Sequence, residues 1–224
     1  MNPLQEILQK YWGHMAFRPL QEEIIQAVLD QKDTLALLPT GGGKSICFQV
    51  PGLMREGVTV VISPLIALMQ DQVDNLSKRG IRAKSITSGM SYKEIDQILD
   101  NARYGGLDFL YTSPERTMST LFIERFKRMN VGLIVVDEAH CISAWGHDFR
   151  PAYTNLGYLK NRFPSTPILA LTATADKATR KDISQQLNLK NPKIFISSFD
   201  RKNLSLEVRP ALDRVKQIID FIKE

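Results

Sequence analysis

This sequence predicts an α/β fold in which a parallel sheet is flanked by helices on both faces, and three observations carry the prediction. Short apolar runs alternate with longer stretches whose apolar residues recur three or four apart, the pattern of strands joined by crossover helices. The runs are apolar almost throughout, as strands buried on both faces must be. The first run passes through a glycine-rich loop, Pro39 to Ser45, directly into a helical pattern at Ile46, giving the strand, loop and helix that a phosphate-binding loop requires.

The elements follow in order. Met1 to Lys10 is amphipathic and carries an acidic residue, so neither a signal peptide nor a membrane span is expected there. A helix starts near Pro19, where proline suits the first turn. Strand-like runs occupy Thr34 to Leu38, Thr59 to Ser63, Asp108 to Thr112, Leu133 to Asp137, Ile168 to Thr172 and Ile194 to Ser197. Helical spacing marks Leu65 to Arg79, Tyr92 to Arg103, Thr117 to Met129 and Thr179 to Leu187. The polar stretch Phe199 to Asn203 is the first candidate boundary. After it come one short run, Leu204 to Val208, and one helix, Leu212 to Lys223, too little to bury a core of their own. Residues 1–203 are therefore expected to form one domain, and 204–224 the start of a second that is cut short.

With 43% hydrophobic and 24% charged residues, disorder and collagen-like architecture are excluded. A chain of 224 residues buries roughly 70% of its extended surface without a covalent staple. Cys47 and Cys141 are the only cysteines, too few for a disulfide framework or a four-cysteine zinc site, so a reducing, cytoplasmic compartment is expected. Twenty-nine basic against 24 acidic residues leave a net charge of +5, which permits a polyanionic partner without demanding one.

In an open parallel sheet, ligands sit beyond the carboxyl ends of the strands, so chemistry is sought in the turns that follow them. In the first turn, Thr40, Gly41, Gly42 and Gly43 let the backbone wrap phosphate oxygens. Lys44 reaches the β- and γ-phosphates, and the Ser45 hydroxyl can ligate magnesium. The competing reading is a glycine-rich turn with an incidental Lys-Ser pair. In the turn after the fourth run stand Asp137-Glu138-Ala139-His140. Two adjacent carboxylates delivered by a buried strand are costly unless a cation or a reaction uses them. Asp137 is expected to hold magnesium and Glu138 to polarise a water against the γ-phosphate. The plainer alternative is a pair of acidic residues serving a helix N-terminus. His140 and His147 are seven apart with no cysteine pair beside them, which is not a zinc pattern; His140 is expected to reach the Thr172 region.

These residues resemble a known family. Asp-Glu-Ala-His following a Gly-Gly-Gly-Lys-Ser loop resembles the superfamily two helicases, and Cys141 to Pro151, with Trp145, Phe149 and Arg150, is similar to the aromatic-rich loop of the RecQ DNA helicases. Phe17-Arg18-Pro19-Leu20-Gln21 resembles that family's adenine motif. Ser63-Pro64 with the eight residues that follow, Thr112 to Arg116, and Leu171 to Ala175 resemble further family motifs, and Ser198 to Asn203 its link to a second RecA-like domain.

The resemblance implies a RecA-like P-loop domain that binds ATP and Mg2+ and, in a longer chain, couples ATP hydrolysis to 3′–5′ DNA unwinding. Gln21 would select adenine through a bidentate amide pair, with His14 and Arg18 stacking on the base. Ser63, Pro64 and Ser113 would position a DNA phosphate without reading sequence; each Ser-Pro is equally an ordinary helix start. Trp145 and Phe149 would stack on single-stranded bases, or else pack into the core. Thr172 and Thr174 would hydrogen-bond Asp137 or Glu138 and link the nucleotide to the DNA. Single-stranded DNA and duplex junctions are the implied partners, with a nucleoid association in a bacterium. The rival functions are a nucleotide-dependent DNA-binding module without turnover, an RNA helicase, and a GTPase, the last disfavoured by the lack of an Asn-Lys-x-Asp signature.

Overall fold

The computed structural model describes residues 2–144, 148–198 and 213–223. Trp145 and His147, the boundary at Phe199 to Asn203 and the run Leu204 to Val208 lie outside the described residues.

Helix α1 (Pro3–Trp12) opens the chain. It is capped by the Asn2 side chain, which accepts from Leu4 N, and stopped by Gly13 in the left-handed region. After α2 (Gln21–Leu29) come β1 (Thr34–Leu37), α3 (Ile46–Met54), β2 (Val58–Ile62), α4 (Ile66–Lys78), β3 (Ala83–Ile86), α5 (Tyr92–Arg103) and β4 (Phe109–Thr112). Then follow α6 (Pro114–Thr117), α7 (Thr120–Phe126), β5 (Val131–Val136), a 3-10 turn (Ala139–Ile142) and α8 (Pro151–Thr154). A second 3-10 turn (Asn155–Gly157), α9 (Tyr158–Arg162), β6 (Ile168–Thr172), α10 (Lys177–Gln186), β7 (Lys193–Ile196) and α11 (Arg214–Lys223) complete the order.

The strands form one seven-stranded sheet in the order β3-β4-β2-β5-β6-β1-β7, with every described pair parallel. Side chains alternate between its faces, and both faces are covered. Leu35, Leu37, Val60, Ile62, Ile134 and Val136 pack under α5, α7 and α10, whereas Ala36, Val61, Leu133, Val135, Leu169 and Leu171 pack under α2, α3 and α4. Helix α1 adds an outer layer, its Leu4 and Leu8 closing over Ile25, Ile46 and Val50.

Two sequence expectations are corrected. Thr117 to Met129 is not one helix: Ser119 caps a new helix by accepting from Phe122 N, so the chain breaks between α6 and α7. Strand β3 was not expected, because Ala83–Ile86 carries Lys84 and Ser85 in only four residues. As the edge strand it exposes Lys84 while burying the other three, a charge suited to a sheet edge.

Candidate active site

All the predicted turns emerge at the carboxyl edge of the sheet, where strand order decides which become neighbours. β1 carries the glycine-rich loop and β5 the Asp137-Glu138 pair, with β6 and its Thr172 between them. Backbone hydrogen bonds knit these ends together: Leu38 N donates to Thr172 O at 3.1 Å and Asp137 N to Ile62 O at 2.8 Å.

The loop after β1 turns tightly, with Gly42 N donating to Pro39 O at 2.9 Å. Gly41 and Gly43 both have φ of 77°, a conformation that an L side chain adopts only with strain. Gly43 has a second constraint, because a Cβ there would lie 2.4 Å from Gln21 Nε2. The Gln21 side chain is buried against this loop, its Nε2 donating to Gly43 O at 3.0 Å and its Oε1 accepting from Arg18 N at 2.8 Å. The Arg18 guanidinium donates to Gly41 O. Both polar ends of the Gln21 amide are thus engaged by the protein.

Lys44 Nζ lies 3.4 Å from Glu138 Oε1, which joins the loop to the acidic turn. Glu138 has φ of 46°, a left-handed conformation for a non-glycine residue of the kind that concentrates at functional sites. Its other oxygen is 3.3 Å from His140 Nδ1, and the same nitrogen is 2.9 Å from Thr172 Oγ1. Thr172 Oγ1 donates to Thr174 O rather than to either carboxylate; the expected threonine bridge to Asp137 or Glu138 therefore runs through His140. Asp137 is held by Glu138 N at 3.0 Å and faces Ser63 Oγ at 3.5 Å. Burial, and then the charge of Glu138, push its carboxyl up to about 6.

Between loop and acids lies a cavity of about 410 Å³, bordered by His14, Arg18, Thr40, Lys44, Ser45, Asp137 and Glu138. The donors able to meet a metal there, the Ser45 hydroxyl and the Asp137 carboxylate, are oxygens, which fits a hard cation such as Mg2+. A buried acid burdened by a like charge is also one that a cation would relieve.

The remaining predicted residues are spread along the same edge. Ser63 is buried and turned to Asp137, and Ser113 caps α6 by accepting from Arg116 N at 3.4 Å. Phe149 is 43% exposed, which excludes a core role for that ring. Arg150 donates to Pro64 O at 3.2 Å, joining the segment after β5 to the turn after β2.

Two supporting contacts involve residues to which the sequence motifs assigned no individual role. Gln72 Nε2 donates to Ser45 Oγ at 3.1 Å and is itself held by Gln49. The buried Tyr153 donates its hydroxyl to Asp137 O at 2.9 Å. The amphipathic spacing of α4 marks its buried face but not which glutamine looks along the sheet edge.

Residues 18–183 match the family pattern of the DEAD/DEAH box helicases. The chain belongs to that family. As a DEAD/DEAH box helicase domain it is 48% identical over 217 residues to the ATP-dependent DNA helicase RecQ of Pasteurella multocida, an alignment covering 97% of this chain and 34% of that protein. It is 44% identical to the probable ATP-dependent DNA helicase RecS of Bacillus subtilis, covering 97% of this chain and 44% of the relative. The helicase domain thus spans between a third and a half of these relatives' length. Among solved structures, the helicase MrfA bound to DNA superposes with a TM-score of 0.68 at 20% identity, over 88% of this chain and 29% of MrfA. A hypothetical ATP-dependent RNA helicase from Sulfolobus tokodaii gives 0.66 at 18%, over 88% and 57%. Likeness at that identity concerns the fold. Among the described residues, no helix is long and apolar enough to cross a membrane.

Proposed function

We propose that this chain is the ATP-binding domain of a RecQ-type DNA helicase, one that binds Mg-ATP at the β1 loop and, within a longer protein, couples its hydrolysis to 3′–5′ unwinding. The observation that carries this reading is the line Lys44, Glu138, His140, Thr172, connected at 3.4, 3.3 and 2.9 Å across three strand ends. That the relatives at 48% and 44% identity are named DNA helicases supports DNA rather than RNA as the substrate.

Lys44 and Glu138 face one another as an ion pair at 3.4 Å. An arriving triphosphate would offer Lys44 a stronger anionic partner, and the exchange would release Glu138 to accept a proton from water as that water attacks the γ-phosphorus, the bond to the β–γ bridging oxygen breaks, and ADP and phosphate leave. Ser45 and Asp137 would hold Mg2+, which supplies charge neutralisation of the phosphate oxygens. Gln21 uses one amide hydrogen on Gly43 O and one lone pair on Arg18 N, so the hydrogen and lone pair that remain would read adenine, and the same side chain would tie the base to the phosphate loop.

DNA would cross the same carboxyl edge beyond Ser63, Pro64 and Ser113, with Trp145, Phe149 and Arg150 meeting its bases and phosphates. Movement of Arg150 would reach Pro64 through their hydrogen bond, and from the end of β2 would reach Asp137 through the bond from Asp137 N to Ile62 O. A second RecA-like domain, beginning after residue 203, would supply the other wall of the cleft and the arginines that stabilise the transferring phosphate; the isolated chain would then bind nucleotide but hydrolyse it slowly and unwind nothing.

The test is titration calorimetry with Mg-ATP, together with ATP hydrolysis with and without single-stranded DNA, on this chain and on a version continued through the second domain. Lys44→Ala should weaken nucleotide binding at least about tenfold, which corresponds to about 1.4 kcal/mol. DNA should accelerate hydrolysis only in the longer version. Equal affinity in wild type and Lys44→Ala, or strand separation by the 224-residue chain alone, refutes the assignment.

A further inference from the structure

His140 directs Nδ1 toward Thr172 and Glu138, which leaves Nε2 for another partner. That nitrogen is 3.8 Å from Cys141 Sγ, and the same sulfur is 3.7 Å from Asp148 Oδ2. All three candidate ligand atoms lie within 4.8 Å of one another. Spacing in the sequence shows no zinc pattern at these positions; the 3-10 turn after β5 creates the juxtaposition by setting His140 and Cys141 side by side opposite Asp148.

Two of the three distances are close to those of a coordination shell. A tetrahedral zinc ion with sulfur at about 2.3 Å and nitrogen or carboxylate oxygen at about 2.0–2.2 Å holds its ligand atoms roughly 3.3–3.7 Å apart. Moving two of the pairs here into that range takes only a few tenths of an ångström. We propose that His140 Nε2, Cys141 Sγ and the Asp148 carboxylate form a three-ligand site for a zinc-class cation, with water in the fourth position. As the metal–sulfur bond forms, the Cys141 thiol releases its proton to solvent.

Outer contacts already orient two of the ligands. Thr172 Oγ1 at 2.9 Å fixes the His140 ring, and Arg150 lies 3.3 Å from the Asp148 carboxylate. Partners of this kind hold ligands in place at established metal sites. The Asp148 side chain is 55% exposed, which gives a cation a way in past the buried sulfur. The donor set of nitrogen, sulfur and oxygen also separates this site from the all-oxygen pair Ser45 and Asp137, so magnesium and a zinc-class ion would not compete for the same atoms. This inference does not depend on the nucleotide reading, because it concerns the other face of His140.

Cobalt is the probe. The 224-residue chain is titrated with Co2+ in excess Mg2+ and followed by absorbance. The sequence has only two cysteines, so a thiolate-to-cobalt charge-transfer band reports Cys47 or Cys141 alone. The expected result is a band that saturates at one equivalent, is bleached by Zn2+, persists in Cys47→Ala and is lost in Cys141→Ser. Asp148→Asn, at an exposed position that leaves the core untouched, should bind Co2+ at least about tenfold more weakly; it keeps the test decisive if Cys141→Ser fails to fold. No thiolate band with cobalt in large excess overturns the site. So does a band that survives Cys141→Ser, or Asp148→Asn binding cobalt as tightly as the wild type.

Discussion

At the amino end of β1, opposite the phosphate loop, Asp33 and Lys160 form the most buried ion pair among the described residues, 2.7 Å apart with side-chain exposures of 1% and 5%. Asp33 does more than pair. Its Oδ1 also accepts from Ile168 N at 2.9 Å, and its Oδ2 from Lys190 N at 2.7 Å, so one carboxylate ties the starts of β1 and β6 to the turn before β7. Asp33→Ala would orphan two backbone N–H groups and leave the Lys160 ammonium with the single carbonyl of Thr166. Removing one partner of a buried pair costs about 3–5 kcal/mol. At about 2–4 °C per kcal/mol for a chain of this size, the melting temperature should fall by roughly 6–20 °C. Lys160→Met should cost less, because Asp33 keeps its two backbone donors. Thermal unfolding followed by circular dichroism measures both variants. Nucleotide affinity, measured well below melting, should stay within about threefold of wild type, about 0.7 kcal/mol, since the full length of β1 separates Asp33 from Lys44. A change under about 2 °C for Asp33→Ala, less than 1 kcal/mol on this scale, or a larger loss for Lys160→Met, would show that the hub does not hold these strands together.

Gln21→Ala should abolish the preference for ATP over GTP in competition binding while retaining triphosphate affinity; equal competition by GTP in the wild type removes the adenine role. Tyr153→Phe takes the hydroxyl from Asp137 O inside the core, at a cost of about 1–3 kcal/mol, and should lower hydrolysis by the two-domain protein with little change in nucleotide affinity. Unchanged melting and turnover would show that the contact positions nothing. Trp145→Ala in the two-domain protein should reduce DNA-stimulated hydrolysis far more than the basal rate at an unchanged melting temperature. Early melting with both rates falling together is instead the signature of a core tryptophan.

Much of this fold was legible because the chemistry that builds it is local. Six of the strands announce themselves as short apolar runs, and α3 starts at Ile46, where the loop's glycines give way to helical spacing. The failures come where a distant segment decides. Ala83–Ile86 is a strand only because β4 pairs with it, since its own composition argues for nothing. β5 begins at Val131, two residues before the expected Leu133, because Gly132 reads as a strand end until the fold places it against the Glu56 carbonyl, where a Cβ would come within 2.3 Å. Likewise the residue types at the nucleotide loop and the acidic turn point to phosphate and cation. Gln72 and Tyr153 do not, because what they do depends on which strand ends lie together.

Strand order is the step that composition and spacing do not contain. In sequence, the turns run from the glycine-rich loop through Ser63, Ser113 and Asp137 to Thr172. Across the sheet they run Ser113, Ser63, Asp137, Thr172 and then the loop. The permutation inserts β6 between the two halves of the proposed nucleotide site, so every direct path along the edge from Lys44 to Ser63 crosses Thr172 and Asp137. It also sets Ser63 beside Asp137, at 3.5 Å, with Ser113 one strand further out. A ligand laid across the turns after β2 and β4 would therefore lie beside the acidic pair, and at the buried Ser63 it would meet the lining of the cavity itself. Coupling between nucleotide and DNA bound as proposed would need no long-range relay: Ser63 faces Asp137 at 3.5 Å and His140 lies 3.3 Å from Glu138, and close-packed interiors transmit strain.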